Sequence, residues 1–350
     1  MRSLANAGRR AASWLRLALA LGLVGAVPAE VRPPADVCRT LPPLPVRFEF
    51  GAGAAPVGAA FARDGGVVVG TAEGYVHALR ADGSYRWSYT LTGPVIGSPA
   101  VSDAGVVFVA TARSVYALRA DGGLLWLFRS PVRIQAGLAR DAQGRLHFAS
   151  ADGRLFALSG RGALVAHVPG KHPLSAGPVV LGGDAVAAGA RTGGVVLSAG
   201  GRVSRFRLSS PVRAVLGCPG ARLCAIAGGS LHALGGADWH VPALWAAANG
   251  DFLAVLGGER ELSLYRGAGR ELAYRVALPE PAREAPAVDA AGNAYVPLRS
   301  GALLAVGADG APRGCWSFAF ATLDAPLLDA PRRRILVTAR EGLVASVGVE

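Results

Sequence analysis

The chain has 350 residues, 51% of them hydrophobic, with 48 Gly, 23 Pro and only 17% charged side chains. That composition excludes a disordered polymer and leaves little room for long uninterrupted helices. The formal charge of +12 is almost all arginine, since lysine occurs once, at Lys171; beside so much Ala and Gly this reads as a GC-rich coding background, and no nucleic-acid partner is expected.

The N-terminus reads as a targeting segment. Arg9 and Arg10 precede an apolar core of eleven residues, Leu17 to Val27, and Val27-Pro28-Ala29 places compact residues where a signal peptidase reads. Eleven apolar residues fall short of the roughly 20 that a bilayer needs. Residues 1–29 are therefore expected to be a signal peptide cleaved after Ala29, leaving a mature chain with no transmembrane segment. A lipid-anchored export signal would want a cysteine directly after the apolar core, but the first, Cys38, lies beyond Pro33-Pro34. A soluble periplasmic or secreted protein is expected, with a Pro-rich segment over 30–43 and one domain over 44–350.

Export exposes cysteines to oxidising conditions, and there are four, an even number. Cys218 and Cys224 bracket Pro-Gly-Ala-Arg-Leu, a spacing suited to two strands of a hairpin facing each other across a short loop. By elimination Cys38 pairs with Cys315.

Along the chain one hairpin pattern returns. In Gly74 to Trp87 (GYVHALRADGSYRW), Tyr75, His77 and Leu79 alternate with Val76 and Ala78, Asp82-Gly83 makes the turn, and Tyr85, Trp87 and Tyr89 open a second alternating run. The Ala78-Leu79 pair is followed by Ala117-Leu118, Ala157-Leu158, Val196-Leu197, Ala233-Leu234, Leu264-Tyr265, Ala305-Val306 and Ala345-Ser346, at steps of 39, 40, 39, 37, 31, 41 and 40 residues. A period near 40 built from short strands is the signature of a β-propeller with one four-stranded blade per repeat. Acidic turns such as Asp141-Ala142-Gln143-Gly144 and Asp289-Ala290-Ala291-Gly292 separate the first two strands of a blade, and Pro94, Pro131, Pro173, Pro211 and Pro281 fall in the crossings between blades.

The third strand of the repeat occurs eight times, but only seven copies of the fourth follow, and the alternating stretch Leu44 to Phe50 supplies the eighth. The fold expected is all-β: an eight-bladed propeller of four-stranded antiparallel blades, closed by the N-terminal strand joining the last blade. Trp87, Trp126, Trp239 and Trp316 are placed to fill wedges between blades.

The chain contains no Gly-x-Ser-x-Gly elbow, phosphate-binding Gly-x-x-x-x-Gly-Lys-Ser/Thr loop or His-Glu-x-x-His pair. His77 and His232 share a repeat slot with Tyr116 and Phe156, so they read as packing residues, and His167 and His172 flank a surface loop at Pro169-Gly170-Lys171. One pattern stands out. Arg133, Arg213 and Arg283 each follow a crossing proline by two residues at the entry to the first strand of blades three, five and seven. They could form a basic ring at one mouth of the channel and attract an anionic ligand or partner. No catalytic, metal-binding or cofactor-binding residue is assigned.

The repeat in GYVHALRADGSYRW and SVYALRADGGLLW, strand residues, Ala-Leu, a Gly turn and then Trp, resembles that of the PQQ-like (quinoprotein alcohol dehydrogenase-like) eight-bladed propellers over Leu44 to Glu350. That resemblance implies three alternatives: a quinoprotein dehydrogenase with a channel-sited quinone, an outer-membrane protein assembly factor, or an exported propeller without chemistry. The dehydrogenases are considerably longer and use an adjacent Cys-Cys pair, a Trp floor under the quinone and a carboxylate/Asn calcium site; here no two cysteines are adjacent and no such acidic cluster stands out. The assembly lipoproteins carry a lipobox cysteine, which this chain lacks. The expectation is a monomeric, exported, non-catalytic propeller without a cofactor that binds a protein or envelope component. N-terminal sequencing of exported protein is expected to start at Glu30; a start at Cys38, or an intact Met1, refutes the cleavage.

Overall fold

The computed structural model describes residues 38–219, 221–235, 239–268, 270–318 and 323–349; the expected signal peptide over 1–29 and the first part of the expected Pro-rich segment, 30–37, lie outside them. Eight four-stranded antiparallel sheets make up the fold. Seven blades are continuous in sequence, at 56–90, 100–129, 134–168, 174–207, 212–242, 245–277 and 287–317, each running in order from its inner strand A to its outer strand D. The eighth takes A, B and C from Leu327–Asp329, Arg334–Ala339 and Leu343–Gly348, and its outer strand D from Val46–Gly51. Each inner strand touches the next around the whole circle, so the ring is closed.

Each sheet is covered on both faces by its neighbours, and this sets the residue types. Strands B and C, such as Val67–Thr71, Ser114–Leu118 and Leu146–Ser150, are buried at every residue and read as apolar runs. Alternation survives where one edge meets water, as in the outer strand Tyr85–Thr90. The inner strands converge on the axis and need small residues. A Cβ on Gly137 would come within 2.8 Å of the Gly97 Cα of the neighbouring blade.

A second contact repeats between blades. Trp87, opposite Ala78, lies on the turn between strands C and D of the next blade and donates its indole N–H to the Ala120 carbonyl at 2.9 Å. Trp126, opposite Ala117, does the same to Gly160 at 3.1 Å. The turn beneath Trp87 needs Gly122, with φ of +91°, both for that backbone angle and because a Cβ would meet the indole at 2.9 Å. Phe48 covers Gly83 likewise, and Trp239 lies under the Arg270 guanidinium of the following turn at 4.8 Å. Trp316 sits elsewhere, opposite Leu303, in the register of Tyr89 and Phe128. In blades four and eight the alignment shifts by one residue: Leu197 faces blade five, and Ser346, paired with Phe48, takes the place of Ala78.

Closure rests on several interactions. Phe48 and Phe50 are buried and pair with Ser346 and Val344. Arg334, 2% exposed, donates to Asp329 Oδ2 at 2.9 Å, to the Ala81 carbonyl at 3.1 Å and to the Gly65 carbonyl, and lies over the Phe61 ring. It thereby ties blade eight to two turns of blade one. Outside blade seven, Pro42 to Leu44 runs beside strand D: Leu44 N–H donates to the Cys315 carbonyl at 3.0 Å, and Cys315 N–H to Pro42 at 2.9 Å. Cys38 is bonded to Cys315 there, with Cα atoms 5.1 Å apart. Cys218 and Cys224 are also bonded, although they are not directly opposed: Cys224 lies across from Leu216, and a register shift between Leu216 and Cys218 brings the sulfurs together.

His77 packs beside this closure, tilted against Phe50 at 5.7 Å. Neither ring nitrogen has a hydrogen-bond partner, and burial, opposed weakly by the nearby Ala52 backbone, pushes the imidazole below its ordinary range. Above the ordinary histidine pKa both folded and unfolded states are neutral there; as pH falls through it, the unfolded chain binds a proton that the folded one refuses, and stability is lost. His77→Phe, which installs the residue blade three has in this slot, is expected to flatten the acid side of the stability–pH curve with little change above pH ~7. Arg334→Met, which leaves the buried Asp329 with only the more distant Arg332 at 3.6 Å, is expected to cost about 3–5 kcal/mol in denaturant unfolding, part of it recovered by adding Asp329→Leu.

Candidate functional site

The three arginines at the strand A entries lie on one face of the ring, where the D-to-A crossings meet the B-to-C turns. Backbone bonds hold them there: the Arg133 carbonyl accepts from Ala151 N–H, and Arg283 N–H donates to Pro297, each at 2.9 Å. Their side chains have three different environments. Arg133 is exposed and has no partner among the described residues. Arg213 lies over the ring of Trp245, on the inner strand of blade six, at 5.0 Å. Arg283 is half-buried beside Asp324, whose carboxyl burial pushes up against the opposing pull of Thr338, Arg340 and Arg283. Asp324 also accepts from Thr338 Oγ1 at 3.1 Å and pairs with Arg340 at 3.8 Å.

The same face carries further cations that single-motif reading passes over. Arg113 and Arg191, in the B-to-C turns of blades two and four, and Lys171, in the crossing from blade three to blade four, are all exposed. The signal that finds them is charge counted blade by blade. Residues 130–208, blades three and four with their crossings, hold ten Lys/Arg against three Asp, whereas 243–318 hold seven Arg against eight Asp/Glu. The positive excess is therefore local to one side of the ring.

Two polar clusters, one buried and one half-buried, occupy the opposite face. Asp141 accepts from His147 Nε2 at 2.9 Å, from Arg145 Nε at 2.7 Å and from the Arg145 backbone. Burial works against its charge, but the bonds from His147 and Arg145 prevail and hold the carboxyl below its usual range. Burial pushes the His147 imidazole down despite the carboxylate beside it, so it stays neutral and donates. In blade seven Asp289 accepts from its own turn, from Asn293 at 2.8 Å and from Tyr295 at 3.1 Å. Burial, with the Asp289 charge behind it, pushes the Tyr295 phenol up. His147 and Tyr295 stand six residues beyond the turn aspartate, where blade two has Phe108, so both clusters brace the A-to-B turn.

The donor set does not match a quinone with calcium. All four cysteines are engaged as Cys38–Cys315 and Cys218–Cys224, with no adjacent pair, and no group of three His, Cys, Asp or Glu that could hold a metal ion occurs among the described residues. No helix among them is long and apolar enough to cross a membrane.

Residues 46–196, less than half of the chain, match the family described as outer membrane protein assembly factor BamB. No curated protein sequence matches the chain. Among solved structures, BamB from Moraxella catarrhalis superposes with a TM-score of 0.69 at 15% identity, covering 88% of this chain and 98% of that one. The computationally designed Ika8 protein gives 0.73 at 14% identity, covering 85% and 98%. Sqt1 from Saccharomyces cerevisiae gives 0.71 at 12%, covering 89% and 100%. At such identities these structures establish the fold alone. The closed ring makes this chain an eight-bladed β-propeller, and over residues 46–196 its repeats resemble those of the PQQ-like BamB family.

Proposed function

We propose that this protein is an exported, non-catalytic interaction propeller that engages a protein or another cell-envelope component, in the manner of an outer-membrane assembly factor. The observation that carries the reading is the basic excess of blades three and four, ten cations against three carboxylates, with Arg113, Arg133, Lys171 and Arg191 exposed on one face. Uncompensated charge destabilises a compact state through self-repulsion, and its return is faster, oriented encounter with a partner of opposite sign. The BamB match and the two disulfides favour a periplasmic or secreted setting. The ring needs no second copy to close, which favours a monomer.

Affinity purification from the cell envelope at low and high salt tests this directly. Wild type is expected to retain a defined partner at low salt and release most of it at high salt. Charge reversal at Arg113, Arg133 and Arg191 is expected to lose that partner with an unchanged melting temperature. The triple alanine variant of Arg133, Arg213 and Arg283 tests the channel-mouth ring separately. Identical recovery by wild type and the reversed protein refutes the basic face, and saturable quinone binding with calcium, followed by dye-linked alcohol turnover, refutes the non-catalytic reading.

A further inference from the structure

The seam between blades three and four departs from its neighbours. In blades one and two the outer strand places Tyr89 opposite Val76 and Phe128 opposite Val115. Their rings reach into the next wedge, Tyr89 to Tyr116 at 6.4 Å and Phe128 to Phe148 at 6.2 Å. Blade three has Val168 in that register, opposite Leu155. Val168 packs on a cluster that includes Leu174, Ala190 and Val196, and those three also line a cleft of about 180 Å³ that opens to solvent.

Three cations complete the lining: Lys171 on the crossing from blade three, and Arg205 and Arg207 on the outer strand Arg202–Arg207 of blade four. The Arg205 Nη2 group donates to the Pro169 carbonyl at 2.8 Å, which anchors the guanidinium at the seam and leaves its other N–H groups free to donate. No carboxylate among the described residues pairs with any of the three; in blade three Asp141 and Asp152 are engaged with Arg145, His147 and Arg154. The larger cleft between blades one and two, about 380 Å³, differs in this respect, because its Arg86 is already held by Asp64 at 2.9 Å.

An apolar floor under several unpaired cations is complementary to one chemistry. We infer that this cleft binds a compact organic anion, a carboxylate carried on a small apolar body of the size of a phenyl ring. The apolar part covers Leu174, Ala190 and Val196, and the carboxylate accepts from Arg205 and Arg207, with Lys171 adding charge. This site goes beyond the partner-binding reading and does not depend on it.

Titration calorimetry of the folded protein at low ionic strength, with phenylacetate as the probe, tests the inference. One saturable site is expected, at least tenfold tighter for phenylacetate than for phenylacetamide, acetate or inorganic phosphate. Arg205→Gln and Arg207→Gln are each expected to weaken it at least tenfold with unchanged melting, and Val168→Phe, which puts an aromatic ring where Phe128 stands one blade earlier, to abolish it. The inference is overturned by the absence of saturable binding up to about 10 mM, by phosphate binding as tightly as phenylacetate, or by affinity indifferent to Arg205, Arg207 and Val168. Failure to recover any envelope partner at low salt, with phenylacetate binding intact, would count against the proposed function alone.

Discussion

Everything in this fold depends on the pairing of Val46–Gly51 with Leu343–Gly348, the two ends of the ring. A blade with both faces apolar cannot stand at the end of a row, since its uncovered face and strand edge would meet water. Joining the first strand to the last blade removes both ends at once, and Arg334 reinforces the joint by bonding Asp329 on its own blade and carbonyls of two turns on the next. A charge so deeply buried is tolerable only because its donors are answered by a carboxylate and carbonyls. The Cys38–Cys315 bond holds the segment leading into this strand against blade seven, so the closing strand starts from a tethered point.

Between blades, packing is governed by a rule of register: a ring on the outer strand lies on the next blade's last turn, and a second ring two residues later fills the wedge at the other end. Blades one and two obey it with Trp87 and Tyr89, and with Trp126 and Phe128. Blade three has Ala166 and Val168 in those places, and blade four has Ser204 in the first. The loosening of the rule and the build-up of positive charge fall on the same two blades. Filling a wedge with aromatic rings stabilises the ring, and omitting them leaves room; where room and unpaired cations coincide, binding is the economical explanation.

The polar clusters at the A-to-B turns serve the fold. Asp141 and His147 are buried, Asp289 is half-buried beside the buried Tyr295, and each carboxylate is satisfied by neighbours within its own blade. They hold the A-to-B turns in shape, while the groups free to meet a ligand are exposed arginines and one lysine. Such a surface suits recognition of an anion.

The sequence by itself determined the blade number, the strand order within a blade and the closure, because a 40-residue period and a two-residue alternation are local signals that survive weak repeats. It also located Trp87 and Trp126 as wedge residues, since each recurs at a constant distance from Ala-Leu. Only the tertiary structure decided the rest. The register of blades four and eight slips by one residue, and Cys218 and Cys224 meet through a shift of pairing, neither of which alternation can locate; Trp316 takes the second aromatic place, in line with its spacing from Ala305, which equals that of Tyr89 from Ala78. Arg133, Arg213 and Arg283 share one place in the repeat but not one environment, because Trp245 and Asp324 come from neighbouring blades. The cleft at Lys171, Arg205 and Arg207 is likewise invisible in the chain: its floor and rim come from crossings and strands of two blades, brought together only when the ring closes.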